Sequence, residues 1–261
     1  MKSDMTNKET LSIAVTGSGG AGALTAGNLL LEVSAKVGCY GVLTRSVGPQ
    51  IRGGEAAAML RLSANPVNGI TDRFDVMVAM DWNNVDRFAS EIILDSESVI
   101  IADPEQGEIP EVIAKSGARV LELPMTELAK QVSGGRVNMI AVGALAEILG
   151  LPETALHEVL EKQLSKKGEK ALKASLDTLY IGRQAVADAD KYPLPINEES
   201  AEGRWIITGN HAAGLGAIRG GVRFVAAYPI TPATEVLEWL SKSLPEVGGA
   251  LVQAEDELAS I

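Results

Sequence analysis

The chain has one cysteine, two histidines and an aromatic share of only 4% in 261 residues. A single cysteine excludes an internal disulfide, and it also excludes an iron–sulfur cluster held by this chain alone, since such clusters take about four thiolates. Cys39 lies in the apolar run 37–43, the setting of a buried and inert packing residue. With so few aromatics the core must be built from Ala, Val, Ile and Leu, which suits a sheet covered by helices. Positive charge is also in deficit: 23 Lys and Arg against 34 Asp and Glu leave a formal net charge of −11. Nucleic acid and anionic membrane call for clustered basic residues, so neither is an expected partner. No apolar run reaches membrane-spanning length. The polar, mixed-charge stretch 1–9 lacks the apolar segment of a signal peptide and reads as a disordered tail, and the thiol usage points to the cytoplasm.

What is present is alternation. Leu11–Thr16, Tyr40–Thr44, Ala56–Leu62, Asp75–Met80, Ser98–Ala102 and Ala118–Leu123 read as strands. Helical periodicity covers Ala23–Lys36, and a polar helix is expected over Trp82–Glu91. This pattern is that of a parallel α/β sheet. After Pro124 come four helices, Met125–Val132, Val137–Leu149, Glu153–Ser165 and Glu169–Ala189, punctuated by Gly150, Pro152 and Gly168. They read as a helical cap on the same domain, which spans 10–190. A proline-rich and then acidic stretch, 191–203, has linker composition. From 204 to 261 a second α/β unit begins, with strands at Ile206–Gly209, Val222–Ala227 and Ala250–Gln253 and helices at Ala212–Arg219 and Thr234–Lys242. Fewer than sixty residues are too few for a doubly wound domain. The ending Leu258-Ala-Ser-Ile261 has no stop signal, so the sequence is expected to be a fragment.

Two glycine-rich loops invite a chemical reading. Gly17-Ser-Gly19-Gly20-Ala-Gly22 fits G-x-G-x-x-G between a strand and a helix, where backbone amides and a helix N-terminus can receive a phosphate. An NAD site also wants an acid after the second strand, and Thr44-Arg45-Ser46 stands there instead. Arg45 suits a phosphate, as in NADP or the phosphorylated end of coenzyme A. Close helix–strand packing explains the same glycines equally well. In Gly48-Pro-Gln50-Ile-Arg52-Gly-Gly54, Arg52 can reach an anion or can simply be a solvated turn residue.

The C-terminal region carries the sharper signal. Tyr228-Pro229-Ile230-Thr231-Pro232 places a hydroxyl in a turn stiffened by two prolines. Gln253-Ala-Glu255-Asp256-Glu257 then supplies carboxylates at the end of the last strand, with a solvated helix start as the plain alternative. His157 reads as solvated, and His211 as an ordinary residue at a helix N-terminus.

In this order, the first glycine loop, Gly48–Gly54, Asn138-Met-Ile-Ala-Val-Gly-Ala-Leu145, Gly209-Asn210, the proline turn and Gln253–Glu257 resemble the α subunit of 2-oxoacid:ferredoxin oxidoreductases that carry a fused N-terminal γ domain. The 2-oxoglutarate-specific members are the favoured match. The resemblance implies a Rossmann-like γ domain over 10–190 and the start of a thiamine diphosphate-binding (pyrimidine-type) α/β domain over 204–261. It implies oxidative decarboxylation of a 2-oxoacid, with the acyl group passed to coenzyme A and electrons to ferredoxin. Glu255 would then be the carboxylate that activates the cofactor's aminopyrimidine ring, with Asp256 and Glu257 as rivals, and Thr231 the hydroxyl that binds the substrate carboxylate. Tyr228, Pro229, Ile230 and Pro232 would border the cofactor. Arg45, Gln50 and Arg52 would be the candidates for contact with coenzyme A, and Gly17, Gly19 and Gly22 stand as candidate cofactor-binding glycines of the first loop. Magnesium and the 4Fe–4S clusters would belong to a β subunit, with no metal held here. An NADP-binding reductase module built on the first glycine loop is the alternative.

Overall fold

A computed structural model describes residues 8–48, 54–194, 196 and 203–261 of the chain. The expected tail up to residue 7 and loop residues 49–53, including Gln50 and Arg52, lie outside these. The chain forms two compact units, Met1–Gly203 and Arg204–Ile261.

The first unit is a six-stranded sheet flanked by helices. Its strands are β1 (Thr10–Ser18), β2 (Tyr40–Val47), β3 (Glu55–Ser63), β4 (Val76–Ala79), β5 (Val99–Ala102) and β6 (Arg119–Glu122). They lie in the order β2-β3-β1-β4-β5-β6. Strands β1, β4, β5 and β6 are parallel, whereas β3 runs antiparallel to both β1 and β2. The expected α/β, Rossmann-like fold is present, with a sheet that is parallel-dominated and made mixed by β3. The cause is the length of the connection: seven residues separate β2 from β3, too few for a parallel crossover, so the two strands pair antiparallel.

Alternate residues of the central strands feed two cores, as a period of two demands. Ile13, Val15, Val76, Val78 and Ile101 face one side, Ala14, Met77, Ala79 and Ile100 the other. The first side is covered by α1 (Ala23–Lys36) and α4 (Val137–Ile148), with α3 (Met125–Lys130), α5 (Glu153–Leu164) and α6 (Glu169–Ala185) around them. Phe74, Phe88 and Ile113 of the short helix α2 (Glu111–Ala114) cover the second side. Cys39 is buried in the first core, in keeping with a packing role. Helices α4 and α6 approach so closely at Gly143 and Gly182 that a Cβ on either would fall on a carbonyl oxygen of the other helix. That is the physical reason for the glycine in the Asn138–Leu145 stretch.

Several expected elements are shorter. Trp82–Glu91 forms only the 3-10 turn Val85–Phe88, preceded by Asn84 at φ 53°. Helix α6 ends at Ala185 because the backbone tightens into turns through 189. The expected linker begins as part of the packed unit. Tyr192 and Leu194 are buried, and their amides donate to the carbonyls of Ile148 and Leu149.

The second unit contains α7 (Gly209–Arg219), β7 (Phe224–Ala227), α8 (Thr234–Ser243) and β8 (Ala250–Gln253), with β7 and β8 parallel. The strand expected at Ile206–Gly209 is not formed. Thr208 caps α7 instead, its hydroxyl accepting from the His211 amide, and the helix starts three residues before the expected Ala212. Leu240 and Leu244 are buried, while Trp205 and Phe224 remain 73% and 65% exposed. Among the described residues no helix is long and apolar enough to cross a membrane.

Candidate functional site

The parallel pair β7–β8 decides where the C-terminal chemistry sits. Ala227 is in register with Gln253, and the Ala254 amide donates to the Ala227 carbonyl, 3.0 Å. Both strands therefore end at the same edge. The proline turn leaves from β7 and the acidic segment from β8, so Thr231 and Glu255 belong to one carboxyl edge. In parallel α/β sheets this is the edge that receives ligands.

Around the turn, Tyr228, Ile230, Thr231 and Pro232 are exposed and Pro229 is half-buried. The Thr231–Pro232 peptide is cis. The amide of Thr234, at the start of α8, donates to the Ile230 carbonyl and closes the turn onto the helix. No hydrogen bond uses the Thr231 hydroxyl among the described residues, so it is available to a ligand.

The three acids differ. Asp256 accepts from the Ala259 amide at 2.7 Å, and its carbonyl accepts from the Ser260 hydroxyl, so its side chain holds the 3-10 turn Leu258–Ser260. Glu257 is the cap position of that turn. Glu255 lies outside the turn, exposed and next to the buried Ala254, without such a partner. His211 stacks on Trp239 with ring centroids 6.3 Å apart, a contact that favours a packing role.

In the first unit the glycine loop lies at the junction of β1 and β4, from which the chain winds in opposite directions. Three of its amides are already engaged. Ser18 donates its N–H (2.8 Å) and hydroxyl (2.9 Å) to one Asp81 carboxylate oxygen, Gly19 donates to the Gly54 carbonyl, and Ala21 donates to the Ser18 carbonyl. Gly22 has φ 91°, where a side chain is strained, and a Cβ there would come within 2.6 Å of the Asn138 amide nitrogen. Asp81, not singled out in the sequence, and Asn138, which opens the Asn138–Leu145 stretch, thus organise the loop. An acid directly after a buried strand was the available signal for Asp81. Arg45 does not join the loop. It pairs with Ala58, which pairs with Val15, three residues before the end of β1, and its guanidinium donates to Asn28 of α1 at 3.1 Å.

The start of β3 carries a second unforeseen group. Glu55 is buried and accepts from Arg87 (2.8 Å) and Asn84 (3.2 Å). A hydrogen bond from its own backbone amide holds its carboxyl below the usual range. Burial opposes this, and Asn84 and Arg87 reinforce it. On the far side, a cavity of about 220 Å³ beside β6 is lined by Arg119 and Tyr192, but Asp190 already answers the Arg119 charge.

Comparison with known proteins fits this division. Residues 12–185 match the family described as pyruvate ferredoxin/flavodoxin oxidoreductase. Residues 215–261 match the one described as pyruvate flavodoxin/ferredoxin oxidoreductase, thiamine diphosphate-binding. The chain is 55% identical over 53 residues, 20% of this chain and 14% of the relative, to the 2-oxoglutarate synthase subunit KorA of Methanocaldococcus jannaschii. It is 30% identical over 178 residues, 67% of this chain and 89% of the relative, to subunit KorC of Archaeoglobus fulgidus. Among solved structures it resembles the 2-oxoglutarate:ferredoxin oxidoreductase of Magnetococcus marinus, solved with 2-oxoglutarate, coenzyme A and succinyl-CoA bound. The TM-score is 0.83 and the identity 34%, over 97% of this chain and 45% of that one. The chain thus spans about half the length of that solved chain.

Proposed function

The chain belongs to the pyruvate ferredoxin/flavodoxin oxidoreductase family, and we propose that it works as part of a 2-oxoacid:ferredoxin oxidoreductase that decarboxylates 2-oxoglutarate to its coenzyme A thioester and passes electrons to ferredoxin. The observation that carries this reading is the shared carboxyl edge of β7 and β8, from which the Thr231 turn and the Glu255 segment both leave within a stretch matching a thiamine diphosphate-binding family. The preference for 2-oxoglutarate is supported by the likeness to KorA and to the Magnetococcus enzyme.

When bound, thiamine diphosphate supplies the electron sink for loss of carbon dioxide from the 2-oxoacid. The residues present fit such a group: an uncommitted carboxylate and an uncommitted hydroxyl stand at one ligand-receiving edge. Glu255 would hold a proton-sharing hydrogen bond to the cofactor's ring, a role Asp256 is poorly placed to take while it holds its own turn. Thr231 would donate to the substrate carboxylate, and Tyr228, Pro229, Ile230 and Pro232 would shape the wall beside it. The reading divides the chain into a γ domain (10–190), a connection (191–203) and the opening of the cofactor domain (204–261), supported by the two family matches and the two units. A β subunit would bring magnesium and the 4Fe–4S clusters. Coenzyme A would meet the γ domain at Arg45, Gln50 and Arg52, with Gly17, Gly19 and Gly22 of the glycine loop as the candidate cofactor-binding backbone. Of the described ones, Arg45 remains a side chain able to turn outward, whereas Gly17 and Gly22 permit close packing. No observation favours the alternative of an NADP-binding module.

The test is Glu255→Gln in the assembled enzyme. Turnover of 2-oxoglutarate is expected to fall by about 10²–10⁴-fold while the subunits still co-purify. Retained turnover removes the assignment, and a higher kcat/KM for pyruvate than for 2-oxoglutarate removes the substrate preference.

A further inference from the structure

We infer that Asn210 is a positioning residue that holds the proline turn in place for the substrate, acting through Thr231; this rests on the proposed role of Thr231. Asn210 is the second residue of α7, and the Thr208 cap fixes the helix start beneath it. Its side-chain nitrogen donates to the Glu235 carboxylate at 2.9 Å and to the Pro232 carbonyl at 3.4 Å. Both partners only accept, so the amide has one possible orientation, with its NH₂ group toward them. The two bonds grip the turn at its exit: at the carbonyl of Pro232, the residue directly after Thr231, and at Glu235 in the first turn of α8. Among the described residues no other side chain hydrogen-bonds the segment 228–235. The Thr231 hydroxyl has no partner of its own there, so its direction follows from the backbone of the turn. Asn210 touches neither reacting atoms nor, on this reading, substrate; it determines where the substrate-binding hydroxyl stands.

Asn210→Asp keeps the shape, removes both donors and sets a carboxylate against Glu235. In the assembled oxidoreductase it is expected to raise KM for the 2-oxoacid by about tenfold, leave kcat within about threefold and leave KM for coenzyme A unchanged, the pattern of lost uniform binding. Thr231→Ala is measured beside it, and then the double variant. Because Asn210 acts through Thr231, the double variant should bind the 2-oxoacid no more weakly than Thr231→Ala alone. A general disturbance of folding would instead add its own loss and would also move KM for coenzyme A. If Asn210→Asp does not assemble, Asn210→Ser carries the same comparison. A raised KM in Thr231→Ala beside an unchanged KM in the Asn210 variant overturns this inference alone, as do fully additive effects. An unchanged KM in Thr231→Ala overturns the assignment of Thr231 and this inference with it.

Discussion

The two units use the same local device, a parallel strand followed by a glycine- or proline-marked turn and a helix, and reach opposite degrees of closure. In the first, β1, β4 and β5 are buried on both faces and helices cover both sides. In the second, the described residues form only the two-stranded sheet β7–β8, and large apolar side chains such as Trp205, Phe224 and Leu258 are exposed. Stability should follow closure, because burial of apolar area is the main favourable contribution to folding. The proposed chemistry follows the opposite course. The loop of the closed unit has turned the Ser18 and Gly19 donors onto Asp81 and Gly54, whereas the side chains of Thr231 and Glu255 in the second unit make no such bond among the described residues.

The comparison breaks first if the crossing of α4 and α6 tolerates bulk. Gly143→Leu must push the touching backbones of the two helices apart and should cost about 4 kcal/mol or more. A urea midpoint near that of the wild type would show that the first unit is looser than its packing. Next, Ile140→Ala should cost about 3 kcal/mol and lower the main thermal transition. Leu240→Ala in the second unit should leave that transition where it is, and hydrogen exchange should report faster opening at β7 and β8 than at β1 and β4. Equal protection in both sheets would erase the distinction. The glycine loop gives a finer test. Gly22→Ala adds a Cβ at φ 91° against Asn138 and should cost about 1–2 kcal/mol, whereas Gly20→Ala meets nothing within 4 Å and should stay within about 0.5 kcal/mol. Equal costs would mean that packing does not explain these glycines.

The legible elements were those whose cause is local. Leu11–Thr16, Asp75–Met80 and Ser98–Ala102 read as buried strands because both faces are apolar, and the two prolines around Thr231 announce their turn within five residues. The antiparallel pairing of β2 and β3 was not legible in the strands themselves, since nothing within either reveals its direction; only the length of the connection does. The helix expected over 82–91 failed where Asn84 takes a left-handed backbone. The positioning roles were not legible, even where Asn138 and Asn210 stood in quoted motifs, because the partners are remote in sequence: Asp81 lies 63 residues from Ser18, Asn138 116 from Gly22, and Asn210 25 from Glu235. Each is an ordinary polar residue until the fold sets it against its acceptor or donor.

The smallest expected effect concerns how the closed unit is tied at its rim. Glu147 of α4 accepts from Lys191 (2.7 Å) and from Arg183 of α6 (2.9 and 3.1 Å), joining two helices to the segment that leaves the unit. The Lys191 hydrogen bond, against the opposing effect of burial and with help from Arg183, holds its carboxyl below the ordinary 4.5. A carboxyl depressed in the folded state contributes stability above its unfolded value, and that contribution is lost as pH falls through the lower, folded value. Glu147→Gln should therefore cost under about 1 kcal/mol at pH 7, the size of a partly exposed ion pair. The difference between wild type and variant should hold steady down to about pH 4.5 and shrink below it. Urea midpoints measured from pH 7 to pH 3 read this directly. A difference that stays constant over that range means the network contributes through shape rather than charge, and the closed unit then owes its rim to packing alone.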